Sequence, residues 1–314
     1  MWRIAVALAA VTGALLWLGD AWMRRGFTEY PMAAPRDIPA AVAAGPDGAI
    51  WFTIDFSDAI GVLRDGRVER IAKGQQNFEP LGLAVDGTGA AWYTDSPQRA
   101  IARVSRDGSV ASYSVGTPVA KFGRLAAAPD GAIWFAEESA ITRFKAGAFM
   151  RYENGSLAAG PFGVAVDAGR AVWASIPRAN KLVRISPQGE IAEFDVPTRG
   201  ARLGDVAVDR DGGVWFLEMQ ANKIGRLAAG RFTEYAVPTP SAGLAALALA
   251  PDGAVWFTEL RAQRLGRLRD GVFAEFRVPR RGARPFGIAV DAANNVWYTD
   301  LDGWLGRLSA ARAR

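Results

Sequence analysis

Between Leu247 and Pro279 short apolar runs alternate with turn residues: LALA, PDG, AVWFT, a polar break, RLGRL, RDG, FAEFRV. Runs of four or five residues rich in Val, Phe, Trp and Leu predict strands. The Asp-Gly pairs between them tolerate the positive φ of tight hairpins. One meander of four short strands cannot bury both of its faces, so the pattern requires neighbours. The chain repeats it. Trp51, Trp92, Trp134, Trp173, Trp215, Trp256 and Trp297 recur at gaps of 41, 42, 39, 42, 41 and 41 residues, in frames such as GAIWFTI, GAAWYTD and GGVWFLE. A four-stranded unit repeating near every 40 residues is the signature of a propeller blade. Seven copies predict an all-β, seven-bladed β-propeller of four-stranded blades.

The ends of the pattern do not match each other. Phe27 to Pro31 reads FTEYP, like the outermost strand FTEYAVP at Phe232 to Pro238, but no inner strands precede it. After Trp297 the chain offers WLGRL and then no fourth strand. The last blade is therefore expected to close by pairing Phe27–Tyr30 with Leu305–Leu308, which removes the sheet edges of an open ring. Blades are expected to start at Ala41, Leu81, Leu125, Val164, Val206, Leu247 and Ile288. The propeller is assigned to residues 26–310, followed by a tail at 311–314. Residues 1–25 begin with a single Arg, Arg3, followed by an apolar run ending at Asp20 and then by Arg24 and Arg25. That run suits an export signal or an N-terminal membrane anchor, since a span takes roughly 17 to 25 residues. Export to the periplasm or beyond is the expectation, with a tether through residues 2–19 if the segment is kept.

Composition narrows the chemistry. The 314 residues carry 37 Lys and Arg against 32 Asp and Glu, without a dense basic run, so nucleic acid is not an expected partner. A monomer is expected. Cysteine is absent, which excludes disulfides and thiol chemistry, and histidine is absent too.

Two sets of residues are candidates for function. The third residue after each Trp is Ile54, Asp95, Glu137, Ile176, Glu218, Glu259 or Asp300. Repeat geometry places five carboxylates at one height. Asp95, Glu137 and Glu218 are candidate metal ligands, and Glu259 and Asp300 candidate acid–base groups. The alternative is structural. A third-strand Arg also recurs, at 103, 143, 184, 226, 267 and 307, and the two sets are expected to pair. The second set breaks the symmetry. It lies in the crossovers between blades, which line one mouth of the channel, and loops on a rigid scaffold are where function is expected. Glu79 stands before blade 2, Arg199 and Arg202 before blade 5, and Arg280, Arg281 and Arg284 before blade 7. With Glu79 as a further catalytic candidate, they predict a polar, partly cationic pocket for an anionic or carbonyl-rich ligand.

The repeat DGAVWFTE…RLGRL…AEF.VP resembles that of the streptogramin B (virginiamycin B) lyases, over nearly all of the chain after residue 26. The resemblance implies a seven-bladed propeller that opens a cyclic depsipeptide by elimination, using two histidines, a glutamate and Mg²⁺. It places the histidines at Ala245 and Phe286 and the glutamate at Arg284, none of which can act as base or carboxylate. Beside a purely structural interaction module, two functional readings follow. One is an exported propeller that binds a small-molecule or peptide ligand through its mouth, with Arg202, Arg284 and Phe286 as candidate contacts. The other is a divergent lyase or lactonase-like hydrolase that uses carboxylates and a divalent metal, Mg²⁺ being the candidate.

Overall fold

Blade 6 shows how the pattern becomes structure. Its strands run Leu244–Leu249, Val255–Glu259, Arg264–Arg269 and Val272–Arg277, antiparallel and in sequential order. The second strand, VWFTE, is buried at every position, whereas the outermost, VFAEFR, is buried at none. Burial peaks at the second strand and falls to the outermost one, as expected when neighbouring sheets cover each other's central strands. The computed structural model describes residues 26–77, 80–116 and 121–313 and contains seven such sheets in a ring. Residues 1–25, with the expected leader, and Glu79 lie outside the described residues.

Each blade interface holds its own apolar cluster, and there are seven interfaces. The seventh joins Ile50, Phe52 and Ile54 of blade 1 to Trp297 and Leu305 of blade 7, so the ring is closed. Closure follows the register the sequence predicts. Strand Phe27–Pro31 places Phe27 opposite Leu308 and Tyr30 opposite Leu305. Tyr30 stacks on Trp297 with ring centroids 6.1 Å apart, and Ser309 N–H donates to the Gly26 carbonyl at 2.8 Å. Beyond the last strand Ala310–Ala313 forms a helical turn. Ala313 is buried, and Arg267 donates to its carbonyl, so 311–313 pack against blade 6.

Six of the seven repeat tryptophans are buried, and Trp215 is half-buried. The recurring Arg does not pair with the acid three residues after Trp. Cross-strand register sets each Arg opposite the Trp itself, as in Trp92↔Arg103 and Trp215↔Arg226. A residue three further along a strand faces the other side of the sheet. The guanidinium therefore lies over the indole, 5.2 Å away for Arg226, and reaches the turn carboxylate of Asp209 at 3.0 Å. Glycine in RLGRL has a packing reason. A Cβ on Gly266 would meet the Phe257 ring at 2.1 Å, so only Gly lets that ring lie across the third strand.

In five blades the inner strand starts three residues earlier than the apolar pattern suggests, for example at Ile38 and Leu203. The extension contains a register shift, as between Leu203 and Val206. Equivalent shifts lie at Pro39/Val42, Phe122/Leu125, Leu244/Leu247 and Pro285/Ile288. A bulge leaves residues unpaired and re-aims their side chains. Here the unpaired pairs stand at the crossover end of the channel.

Candidate functional site

The second residue of each bulge, and its counterpart in blades 2 and 4, forms one level of the channel: Ala41, Gly82, Arg124, Gly163, Asp205, Ala246 and Gly287. Their backbone N–H groups have left the ladder and need acceptors. In five blades a buried hydroxyl two residues after the Trp supplies one: Thr53, Thr94, Ser175, Thr258 and Thr299 accept from Ala41, Gly82, Gly163, Ala246 and Gly287. Thr53, Ser175, Thr258 and Thr299 also donate to the next blade, to the carbonyls of Pro80, Gly204, Phe286 and Ala40. The hydroxyl is replaced by Ala136 and Leu217 in blades 3 and 5, the two blades that carry Arg124 and Asp205.

These two side chains meet across the channel. Arg124 Nε and Nη2 donate to the two Asp205 oxygens at 2.6 and 3.1 Å, and Nη1 donates to the Leu81 carbonyl at 2.8 Å. Asp205 also accepts the Leu247 N–H at 3.1 Å, and the guanidinium lies 5.4 Å from the Phe162 ring centroid. The pair ties blades 2, 3, 5 and 6 together and floors the mouth above a cavity of about 140 Å³. Sequence reasoning missed it. The available signal was two charged residues in a slot otherwise held by Ala or Gly. Around the pair stand Leu81, Phe162, Ala245 and Phe286, all half-buried, and outside them Arg202 and Arg284 are exposed. The mouth is thus an apolar cup with one fixed guanidinium at its base and cations on its rim.

The five carboxylates lie at one height, as expected, and all are buried, but their surroundings differ from blade to blade. Burial raises Asp95 against the pull of Lys73, which comes from the outer strand of blade 1. Glu137 accepts from the Thr142 hydroxyl and lies 3.3 Å from Arg151. Glu218 and Glu259 are fully buried, and no oxygen of either has a hydrogen-bond partner. Burial and the adjacent Glu234 push Glu218 up to about 7, opposed by Lys223. Burial and Glu275 push Glu259 up to about 7, opposed by Arg264. Asp300 is paired with Arg280 and accepts the Arg284 N–H at 2.9 Å. Among the described residues no three carboxylates converge as a metal-binding group, and Asp95, Glu137 and Glu218 sit in three separate blades.

Arg280 is not a free rim cation. It also reaches Glu29 of the closing strand at 3.4 Å and lies over Trp304 at 5.3 Å, while the Tyr298 hydroxyl donates to Glu29 at 3.2 Å. It therefore latches the N-terminal strand to the last crossover. Arg284 touches Asp302 at 3.6 Å and is otherwise open to solvent.

Residues 18–143 and 68–313 match the virginiamycin B lyase family. The chain belongs to that family. It is 33% identical over 192 residues to virginiamycin B lyase of Nocardia farcinica, a stretch covering 60% of this chain and 66% of that relative. Its fold is similar to that of a catalytically inactive variant of virginiamycin B lyase from Staphylococcus aureus with quinupristin. The TM-score is 0.85 and the identity 26%, with 90% of this chain and 98% of that one covered. A streptogramin B lyase structure gives a TM-score of 0.84, also at 26% identity, over 90% and 96% of the two chains. The mouth of this family member does not fit the implied Mg²⁺. Ala245 and Phe286 present a methyl group and a ring where the resemblance places imidazoles, and Arg284 brings a cation where it places a carboxylate. A guanidinium on that rim repels a divalent ion.

Proposed function

We propose that this protein is a ligand-binding member of the virginiamycin B lyase family, taking a carbonyl-rich or anionic ligand at the crossover mouth. One observation carries the reading. The half-buried apolar cup of Leu81, Phe162, Ala245 and Phe286 surrounds the fixed Arg124 guanidinium, in a chain with no histidine to act as the family's base. Imidazole suits proton abstraction because it titrates near neutrality. Glu218 and Glu259, the carboxylates that burial pushes up to about 7, are fully buried. An apolar pocket with a few fixed polar groups is the usual make-up of a small-molecule site. The Staphylococcus aureus relative holds quinupristin, which supports a cyclic peptide-like ligand here. The apolar run before Asp20 supports export, which fractionation of cells expressing the full chain tests.

The test is titration of the purified protein with quinupristin, followed by calorimetry, with chromatography of the same mixtures for the ring-opened isomer. Saturable binding without ring opening is expected. Ring opening above the protein-free blank would replace this reading with the divergent-enzyme one, and absence of binding would remove quinupristin-like compounds from the ligand class.

A further inference from the structure

Blades 5 and 6 share a construction that blade 4 holds only in part. In blade 5 the outer-strand Glu234 grips the preceding crossover twice, accepting Thr198 N–H at 3.1 Å and the Thr198 hydroxyl at 2.8 Å. Lys223 of the third strand donates to both Glu234 and Thr198 at 2.8 Å. Blade 6 repeats this with Glu275, Thr239 and Arg264. Thr239 N–H and hydroxyl donate to Glu275 at 3.1 and 2.7 Å, and Arg264 donates to Thr239 at 2.7 Å while pairing with Glu275. These grips hold the crossovers 196–203 and 237–244. The first carries Arg199 and Arg202, two rim cations of the mouth.

Beneath each grip lies a second carboxylate, Glu218 or Glu259, fully buried and with both oxygens unpartnered. The charged groups facing Glu218 are Glu234 and Lys223, with the Thr198 hydroxyl beside them. Those facing Glu259 are Glu275 and Arg264. Each cluster therefore has two carboxylates for one cation. With one proton it is neutral. Without the proton it holds an uncompensated buried charge, which is costly unless water or an ion is admitted. The crossover is the movable side of the cluster, since the other members are on strands. Blade 4 has the outer glutamate, Glu193, and its lysine, Lys181, 2.8 Å apart, and Asn154 of the crossover donates to Glu193 at 2.8 Å. Its inner slot, however, is Ile176. The same grip there has no second carboxylate.

We propose that blades 5 and 6 form a proton-operated clamp on the wall of the mouth: each cluster binds one proton, and losing it releases the crossover gripped by Thr198 or Thr239. Burial and the paired carboxylate raise both inner glutamates to about 7, which sets the range in which the clamp works. Release loosens the wall carrying Arg199 and Arg202, so the mouth holds its ligand better below neutral pH than above. That consequence rests on the binding reading; the clamp does not.

The test is hydrogen exchange of the full-length protein without ligand between pH 6 and 8, expressed as protection after correction for the intrinsic pH dependence. Protection of segments 196–203 and 237–244 is expected to fall about tenfold across this range, while segment 154–162 of the blade 4 grip changes less than about threefold. The Glu218→Gln/Glu259→Gln variant is expected to keep its protection at pH 8. Equal pH dependence in all three segments, or none in any, overturns the clamp, and this comparison needs only the unmodified protein. Persistence of the pH-dependent loss in the double variant overturns the assignment to these two residues. Quinupristin titrations at pH 6 and 8 test the consequence separately. A protein that shows the exchange pattern but binds no quinupristin keeps the clamp and removes quinupristin-like compounds from the ligand class.

Discussion

Asp205→Ala removes the partner of the one guanidinium that spans the channel. The side chains of Arg124 and Asp205 are 12% and 11% exposed, so the stranded charge stays largely out of water. Breaking a buried pair from one side costs roughly 3–5 kcal/mol, because the remaining charge is uncompensated. The variant also strips the acceptor from Leu247 N–H, a buried donor whose loss is worth about 1–3 kcal/mol when nothing replaces it. Residual exposure and water entry favour the lower end, about 4 kcal/mol in all. At roughly 2–4 °C per kcal/mol for a domain of this size, the melting temperature should fall about 8–16 °C. The double variant Arg124→Met/Asp205→Leu removes both charges and fills the space with apolar groups. It should lose only about 1 kcal/mol, from the same orphaned Leu247 N–H. Calorimetry of the two singles and the double gives the coupling. A single loss below about 1 kcal/mol, or a double loss equal to the sum of the singles, would refute the strut.

Three further outcomes are expected. Deleting residues 26–32 exposes the edge of strand Trp304–Leu308 and removes Tyr30 from Trp297 and Glu29 from Arg280; a thermal melt that stays where it was would refute the closure as a stability element. Gly266→Ala forces a methyl group onto the Phe257 ring, and overpacking of this kind costs about 1–3 kcal/mol by urea denaturation. Glu218 and Glu259 have folded-state values near 7 against 4.5 unfolded, so the folded state binds more protons between those values. Stability from this source is complete below pH 4.5 and is lost as pH rises through 7. Replacing both by Gln should thus raise the unfolding free energy relative to the parent at pH 8 and not at pH 5, by about 1–3 kcal/mol per site in urea denaturation; a pH-independent difference would contradict the assignment.

The repeat period, the blade count and the closing strand were legible in the sequence for one physical reason. They are set by local alternation of apolar residues and turn chemistry, and a seven-fold repeat states each rule seven times. The fate of the chemistry was not legible in the same way. Glu259 and Asp300 occupy the same slot of the repeat, yet one is an orphaned buried acid and the other is held by Arg280. The difference arises because position 280 is Arg where the repeat has Thr198 and Thr239, and position 304 is Trp where it has Lys223 and Arg264. Charge partners come from other strands and crossovers, so their pairing depends on register. The expected acid–Arg pairing failed on parity, because residues three apart on a strand face opposite sides. Arg124 and Asp205 lie 81 residues apart, and only closing the ring brings them together. The sequence by itself determined which segments form strands, how many blades they make and which of the family's residues this chain lacks. The tertiary structure alone decided which charges meet and which remain buried without a partner, because those contacts exist only once seven separate sheets share one axis.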